Sequence, residues 1–181
     1  MLPPGHIAAG YLTGLAFLQA AHPVLSETQT MRLLWWSAFC GFAPDLDMFY
    51  YFARNRTWLV AGENKARGNH RYYLSHAPAL WLAAGLLVYA ASGSAFGRAL
   101  GLLLWLGSWS HFLLDSIDYG IMWLWPFSKT VYSLRRREVL IQNFRTGFVS
   151  HTWEFLKGYA RTLTFYAEAA ILIAAGFTLF K

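Results

Sequence analysis

The run FGRALGLLLWLGSWSHFLLD, residues 96–115, has one cation near its start, Arg98, and ends with His111 and Asp115. About 20 mostly apolar residues are the length of a bilayer-crossing helix. The spacing predicts such a helix over Phe96–Leu114, with an imidazole inside it and a carboxylate at its end. Ionisable groups in an apolar segment cost several kcal/mol and need partners. His111 and Asp115 are four apart, so a helix puts them on one face. Their further partners must come from elsewhere in the chain.

Four more apolar runs lie around this one: Ile7–Ala21, Leu33–Phe52, Ala77–Ala91 and Thr162–Phe180. The first and third are short, and a buried or partly inserted helix also fits them. The pattern predicts an all-α, polytopic transmembrane helical bundle of about four to five spans. It forms a single membrane-embedded domain over residues 1–181. Composition agrees: 56% of residues are apolar and 13% charged, against roughly 45–50% and about 25% in average globular chains. The 9 Trp, 10 Tyr and 14 Phe suit membrane–water interfaces, where amphipathic rings collect. Gly93, Gly97 and Gly101 recur at every fourth position, as in small-residue helix contacts.

The formal net charge is +6. Its cations cluster in two connections, one with Arg54, Arg56, Lys65, Arg67 and Arg71, the other with Lys129, Arg135, Arg136, Arg137, Arg145, Lys157 and Arg161. If all five runs span, both connections lie on one side, and the positive-inside rule makes that side cytoplasmic. Topology accounts for the basic charge, and nucleic acid is not an expected partner. The Arg135–Arg137 run lacks the interleaved aromatics of single-strand binders, apart from Tyr132. Met1–Gly10 lacks the basic region of a cleaved signal peptide. Cys40, the only cysteine, has no partner for an intrachain disulfide.

On this topology the polar residues converge. His6 precedes the first run. Asp45 and Asp47 sit near the cytoplasmic end of the second, where Pro44 signals a break or a fresh helix start. His70 and Arg71 close the first basic connection, and His76 opens the third run. His111 and Asp115 end the fourth. The predicted metal ligands are therefore His6, Asp45, Asp47, His70, His76, His111 and Asp115. Imidazole and carboxylate together suit a divalent metal, with zinc expected and manganese or magnesium as alternatives, in one or two ions. His22 reads as an interfacial loop residue at the opposite end. His151, three before Glu154, reads as a surface pair or an outer ligand.

These residues resemble the YdjM-like family, described as LexA-binding, inner-membrane-associated metal-dependent hydrolases. The matching pieces are Gly5-His6, Ala43-Pro44-Asp45-Leu46-Asp47, His70-Arg71 with Ser75-His76, Ser110 to Asp115, and Trp125-Pro126-Phe127. They run in order from residue 5 to residue 127, and the tail matches little. Met48 stands where the family often has His, and Ser116-Ile117-Asp118-Tyr119-Gly120 replaces a Thr-Pro-Gly-like turn. The His-x-x-x-Asp spacing is also similar to that of zinc-dependent phospholipase C. The resemblance implies a multi-pass protein of the bacterial inner membrane. It implies metal-dependent hydrolysis, and a site at headgroup depth on the cytoplasmic side suits a phosphoester in a lipid or lipid-linked substrate. Asp47, His76 and Arg71 are the expected catalytic residues, with Arg71 on a phosphate oxygen. The other reading is a non-enzymatic membrane binding or regulatory protein whose metal holds helices together. A carrier would want its polar groups at the bilayer midplane, and these lie towards one end.

Overall fold

The computed structural model describes residues 1–55, 72–135 and 148–180. It is all-helical among those residues, apart from one isolated bridge between Ile121 and Tyr132. Helix α1 spans Pro3–Ala21 and starts on two prolines, which fit a first turn because its N–H groups lack helical partners. It ends at His22, whose φ of 42° is left-handed, a frequent way to stop a helix. Helix α2, Glu27–Phe42, starts with a reciprocal capping box between Ser26 and Gln29.

The second apolar run is not one helix. It breaks after Phe42 into a 3₁₀ turn, Ala43–Leu46, and resumes as α3, Asp47–Asn55. Pro44 lies in that turn and brings no N–H to continue the ladder. A second 3₁₀ turn, Leu74–His76, leads into α4, Pro78–Ala91. Three residues then connect to α5, Ala95–Asp115, whose first turn is capped by Ser94. Helix α6 is Phe148–Tyr159 and α7 is Leu163–Leu179, capped by Thr162.

Helix α5 packs on α1, α2 and α4, and α7 packs on α1. Two glycine pairs let helices approach closely. A Cβ on Gly10 would sit 2.4 Å from the Ser37 carbonyl oxygen, and one on Gly41 would sit 2.4 Å from that of His6. The α1–α2 contact is therefore backbone against backbone, and the Ser37 hydroxyl donates across it to Gly10 O at 2.6 Å. Gly101 plays the same part against Gly85 on α4, each carbonyl 2.6 Å from the other's would-be Cβ. Of the Gly93, Gly97, Gly101 series only Gly101 makes such an interhelical contact, because Gly93 has open space and Gly97 faces Ser92 in its own hairpin.

The expected runs correspond to α1, α2 with α3, α4, α5 and α7. No single described helix is long and apolar enough to cross a membrane. One pair, Thr152–Tyr159 with Leu163–Leu179, passes together but is bent by 86°. Many large apolar side chains face outward, among them Trp35, Phe39, Leu86, Leu87, Ile173 and Phe177.

Candidate metal centre

Four segments bring five titratable side chains into one buried cluster. His6 comes from the first turns of α1, and Asp45 from the 3₁₀ turn that Pro44 enforces. His76 ends the second 3₁₀ turn, and His111 and Asp115 are one turn apart at the end of α5. All five are buried, the three histidines completely. Two carboxylates and three imidazoles taken out of water are costly unless they compensate one another.

Their separations are longer than good hydrogen bonds. His6 Nε2 is 3.3 Å from Asp115 Oδ1, His76 Nε2 is 3.5 Å from Asp45 Oδ1, and His111 Nε2 is 3.7 Å from Asp45 Oδ1 and 3.8 Å from Asp115 Oδ2. A hydrogen bond to nitrogen prefers about 2.7–3.2 Å. A tetrahedron with ligand bonds of about 2.0–2.2 Å has edges of about 3.3–3.6 Å. The cluster is spaced for an ion better than for direct bonding. Two groups of three meet that condition, His6 with His111 and Asp115, and Asp45 with His76 and His111, each with ligand atoms within 4.8 Å of one another. His111 Nε2 and both ring nitrogens of His6 lack a hydrogen-bond partner among the described residues. Imidazole nitrogens with carboxylate oxygens are a donor set for zinc or a similar divalent metal. The residues present fit such an ion.

The surroundings fix which nitrogen faces the cluster. His111 Nδ1 lies 3.0 Å from the Gly41 carbonyl oxygen. A carbonyl only accepts, so Nδ1 carries the proton and Nε2 keeps its lone pair. His76 Nδ1 lies 2.8 Å from Asp47 Oδ2, which also accepts from the Ser75 hydroxyl. Asp47 thus stands behind His76 and belongs to neither ligand group. Such outer carboxylates orient metal-binding histidines. Burial alone would lower the His76 pKa, but hydrogen bonds and charge from Asp45 and Asp47 outweigh it and raise it to about 9. The His6 and His111 rings stack with centroids 3.8 Å apart. The Met1 amino nitrogen lies 2.8 Å from Asp115 Oδ1.

Of the seven predicted ligands, five meet in the cluster and Asp47 sits one contact away. His70 lies outside the described residues, as does Arg71. His151 falls in α6, and its side chain is also outside them. His22 ends α1. Asp118 belongs to neither ligand group; it accepts from the Thr164 backbone N–H at 3.0 Å and from its hydroxyl, which ties the turn after α5 to the start of α7.

Sequence reasoning missed Glu168. This buried acid of α7 accepts from Gly5 N–H at 3.1 Å, from Leu2 N–H at 3.4 Å and from the Tyr159 hydroxyl. Leu2 offers no side-chain cap to α1, so Glu168 supplies one from another helix, beside the positive end of the α1 dipole. Gly5 precedes His6, and α7 thereby fixes the start of the helix that carries a candidate ligand. The available signal was a lone carboxylate inside an apolar run, which by itself asks for a partner.

A helical bundle with a buried histidine–aspartate cluster defines a class of candidate metalloproteins. The model of the YdjM inner membrane protein family matches residues 1–181. The chain belongs to that family, and the match extends past the motifs ending at residue 127 to the whole chain. No curated protein and no solved structure matches it.

Proposed function

We propose that this chain is a multi-pass inner-membrane metal-dependent hydrolase acting on a phosphoester of a lipid or lipid-linked substrate at the cytoplasmic face. The observation that carries the reading is the pair of three-ligand groups that share His111. Structural zinc sites are usually closed by four protein ligands, whereas catalytic ones use three and leave a position open. A bound divalent ion supplies a Lewis acid for a phosphoryl oxygen.

The chain's own residues have separate parts in this reading. His6, His111 and Asp115 hold one side of the centre, and Asp45 and His76 the other. Asp45 is central, with Oδ1 towards His76 and His111 and Oδ2 3.9 Å from His6 Nε2. Asp47 positions His76 by holding the Nδ1 proton. Arg71 keeps its proposed role on a phosphate oxygen, because a guanidinium binds phosphate through charge-assisted hydrogen bonds. The outward apolar side chains support the membrane setting, since lipid removes the cost of exposing them. Zinc is the proposed metal on donor chemistry.

A second reading has one observation in its favour. The five cluster side chains are all buried, as they would be where a metal only ties helices together. Elemental analysis of detergent-purified protein tests the part common to both readings. His111→Ala removes a ligand from both groups and is expected to leave the protein metal-free; near-stoichiometric metal in that variant refutes the shared centre. A panel of phosphomonoesters, phosphodiesters and phospholipids then separates the two. Turnover that His111→Ala abolishes supports the enzyme, and no turnover with any added divalent ion supports the structural role.

A further inference from the structure

Helix α6 divides its surface three ways. Tyr159 is buried and Phe155 half-buried, stacked on Tyr159 with ring planes 8° apart. Val149, Trp153 and Leu156 are exposed by 80%, 61% and 41%. Glu154 and Lys157 are exposed and joined by an ion pair at 2.8 Å. At about 100° per residue, Val149, Trp153 and Leu156 share an arc of about 60°, with the ion pair beside it and the buried residues on the other side. The helix thus has a protein-facing sector, an apolar outward sector and a charged outward sector.

We infer that α6 lies in the plane of the membrane, with Val149, Trp153 and Leu156 in the lipid and Glu154 and Lys157 at the headgroups. Three further observations favour lipid over a protein partner. The next helix, α7, turns away at 86° and exposes Leu172, Ile173 and Phe177. The bend lets α7 run into the bilayer from an in-plane α6, and the outward apolar residues of α7 favour that direction, so the two outward apolar surfaces follow one another along the chain. Lys157 Nζ lies 5.6 Å from the centroid of the exposed Trp153 ring. An indole with a cation beside it suits the interface, where the ring sits at headgroup level and the lysine reaches water. Lys157 and Arg161 also favour anionic headgroups.

The placement also sets the level of the metal centre. The Tyr159 hydroxyl donates to Glu168, and Glu168 accepts from Gly5 N–H, the residue before His6. Two hydrogen bonds and one peptide link separate the end of α6 from a candidate ligand. The centre then lies close to the headgroup plane, where a lipid phosphoester presents its phosphate. This step rests on the membrane setting proposed above and not on hydrolysis.

Spin labels test it. Single cysteines replace Val149, Trp153, Glu154, Leu156 and Lys157, with Ile173→Cys as the reference inside the bilayer. Buried Cys40 stays in place, and its labelling is measured in the unsubstituted chain. The protein is held in nanodiscs containing an anionic phospholipid, and label depth is read from the ratio of oxygen to nickel-chelate collisions. Positions 149, 153 and 156 are expected at one shallow depth, with 154 and 157 open to nickel. Depth that steps steadily by about 1.5 Å per residue means that α6 crosses the bilayer, and equal nickel access at all five positions means that it lies in water. Either result overturns the placement. Metal content of the same samples is read separately, so a misplaced helix and a failed metal centre are distinguishable.

Discussion

Replacing Asp47 by Ala removes the acceptor on His76 Nδ1 and leaves all five cluster residues in place. The lost contact is a 2.8 Å hydrogen bond to a carboxylate, and charge-assisted bonds of this kind contribute about 1.5–3 kcal/mol. Loss of a partner behind a metal-binding histidine typically lowers metal affinity 10–100-fold, or about 1.4–2.7 kcal/mol. Asp47→Ala is therefore expected to bind the metal 10–100-fold more weakly and still reach full occupancy at higher free metal. Asp47→Asn retains an oxygen acceptor without the charge and is expected to lose less. Competition against a chromophoric chelator, with detergent-purified protein at fixed pH, reads both variants directly. If Asp47→Ala is metal-free wherever His111→Ala is, Asp47 is itself a ligand and the positioning argument fails. If its affinity equals that of the wild type, the contact does not support the centre at all.

Three further outcomes follow from the same geometry. Glu168→Ala leaves Gly5 N–H, Leu2 N–H and the Tyr159 hydroxyl without their shared acceptor. It is expected to lower thermal stability by about 1–3 kcal/mol and to weaken metal binding, with Glu168→Gln recovering part of both. Gly10→Ala drives a methyl into the Ser37 carbonyl and should cost about 1–3 kcal/mol as overpacking, seen as a lower unfolding midpoint in detergent; an unchanged midpoint would show that α1 and α2 can separate freely. Because Asp45 and Asp47 raise the His76 pKa to about 9, metal entry at pH 7 must displace its proton. Apparent affinity should rise with pH and level off above about 9, with proton release read by calorimetry in buffers of different ionisation enthalpy; affinity independent of pH between 7 and 9 contradicts this.

Much of the centre is legible from spacing. His111 and Asp115 share a face by helical period, and Pro44 marks the break that turns Asp45 inward. Asp47 was less legible. Its direction depends on a 3₁₀ turn, and its partner His76 comes from a segment 29 residues further on. Periodicity carries no information about that crossing. Spans were harder still. Leu33–Phe52 is continuous as an apolar run yet broken as a helix, because hydropathy averages over Pro44 while the backbone cannot. The close α4–α5 contact needed Gly85 opposite Gly101, a matter of register between helices, and the four-residue glycine series along one helix pointed only to half of it.

The shared histidine limits how many ions the cluster can hold. His111 Nδ1 is committed to Gly41, so Nε2 has a single lone pair to give. It belongs to both ligand groups but can complete only one of them at a time. Two ions at once therefore require a bridge, and Asp45 is the side chain placed to provide it, with one oxygen towards His76 and His111 and the other towards His6. That bridge would give three ligands to each side, Asp45, His76 and His111 to one and Asp45, His6 and Asp115 to the other, and His70 is the remaining candidate by sequence for a further one. The measured metal content thus reads the ligand set: one ion per chain means that Asp45 does not bridge, a second ion retained in His70→Ala means that the five clustered residues hold both, and a second ion that disappears in His70→Ala would bring that histidine to the centre.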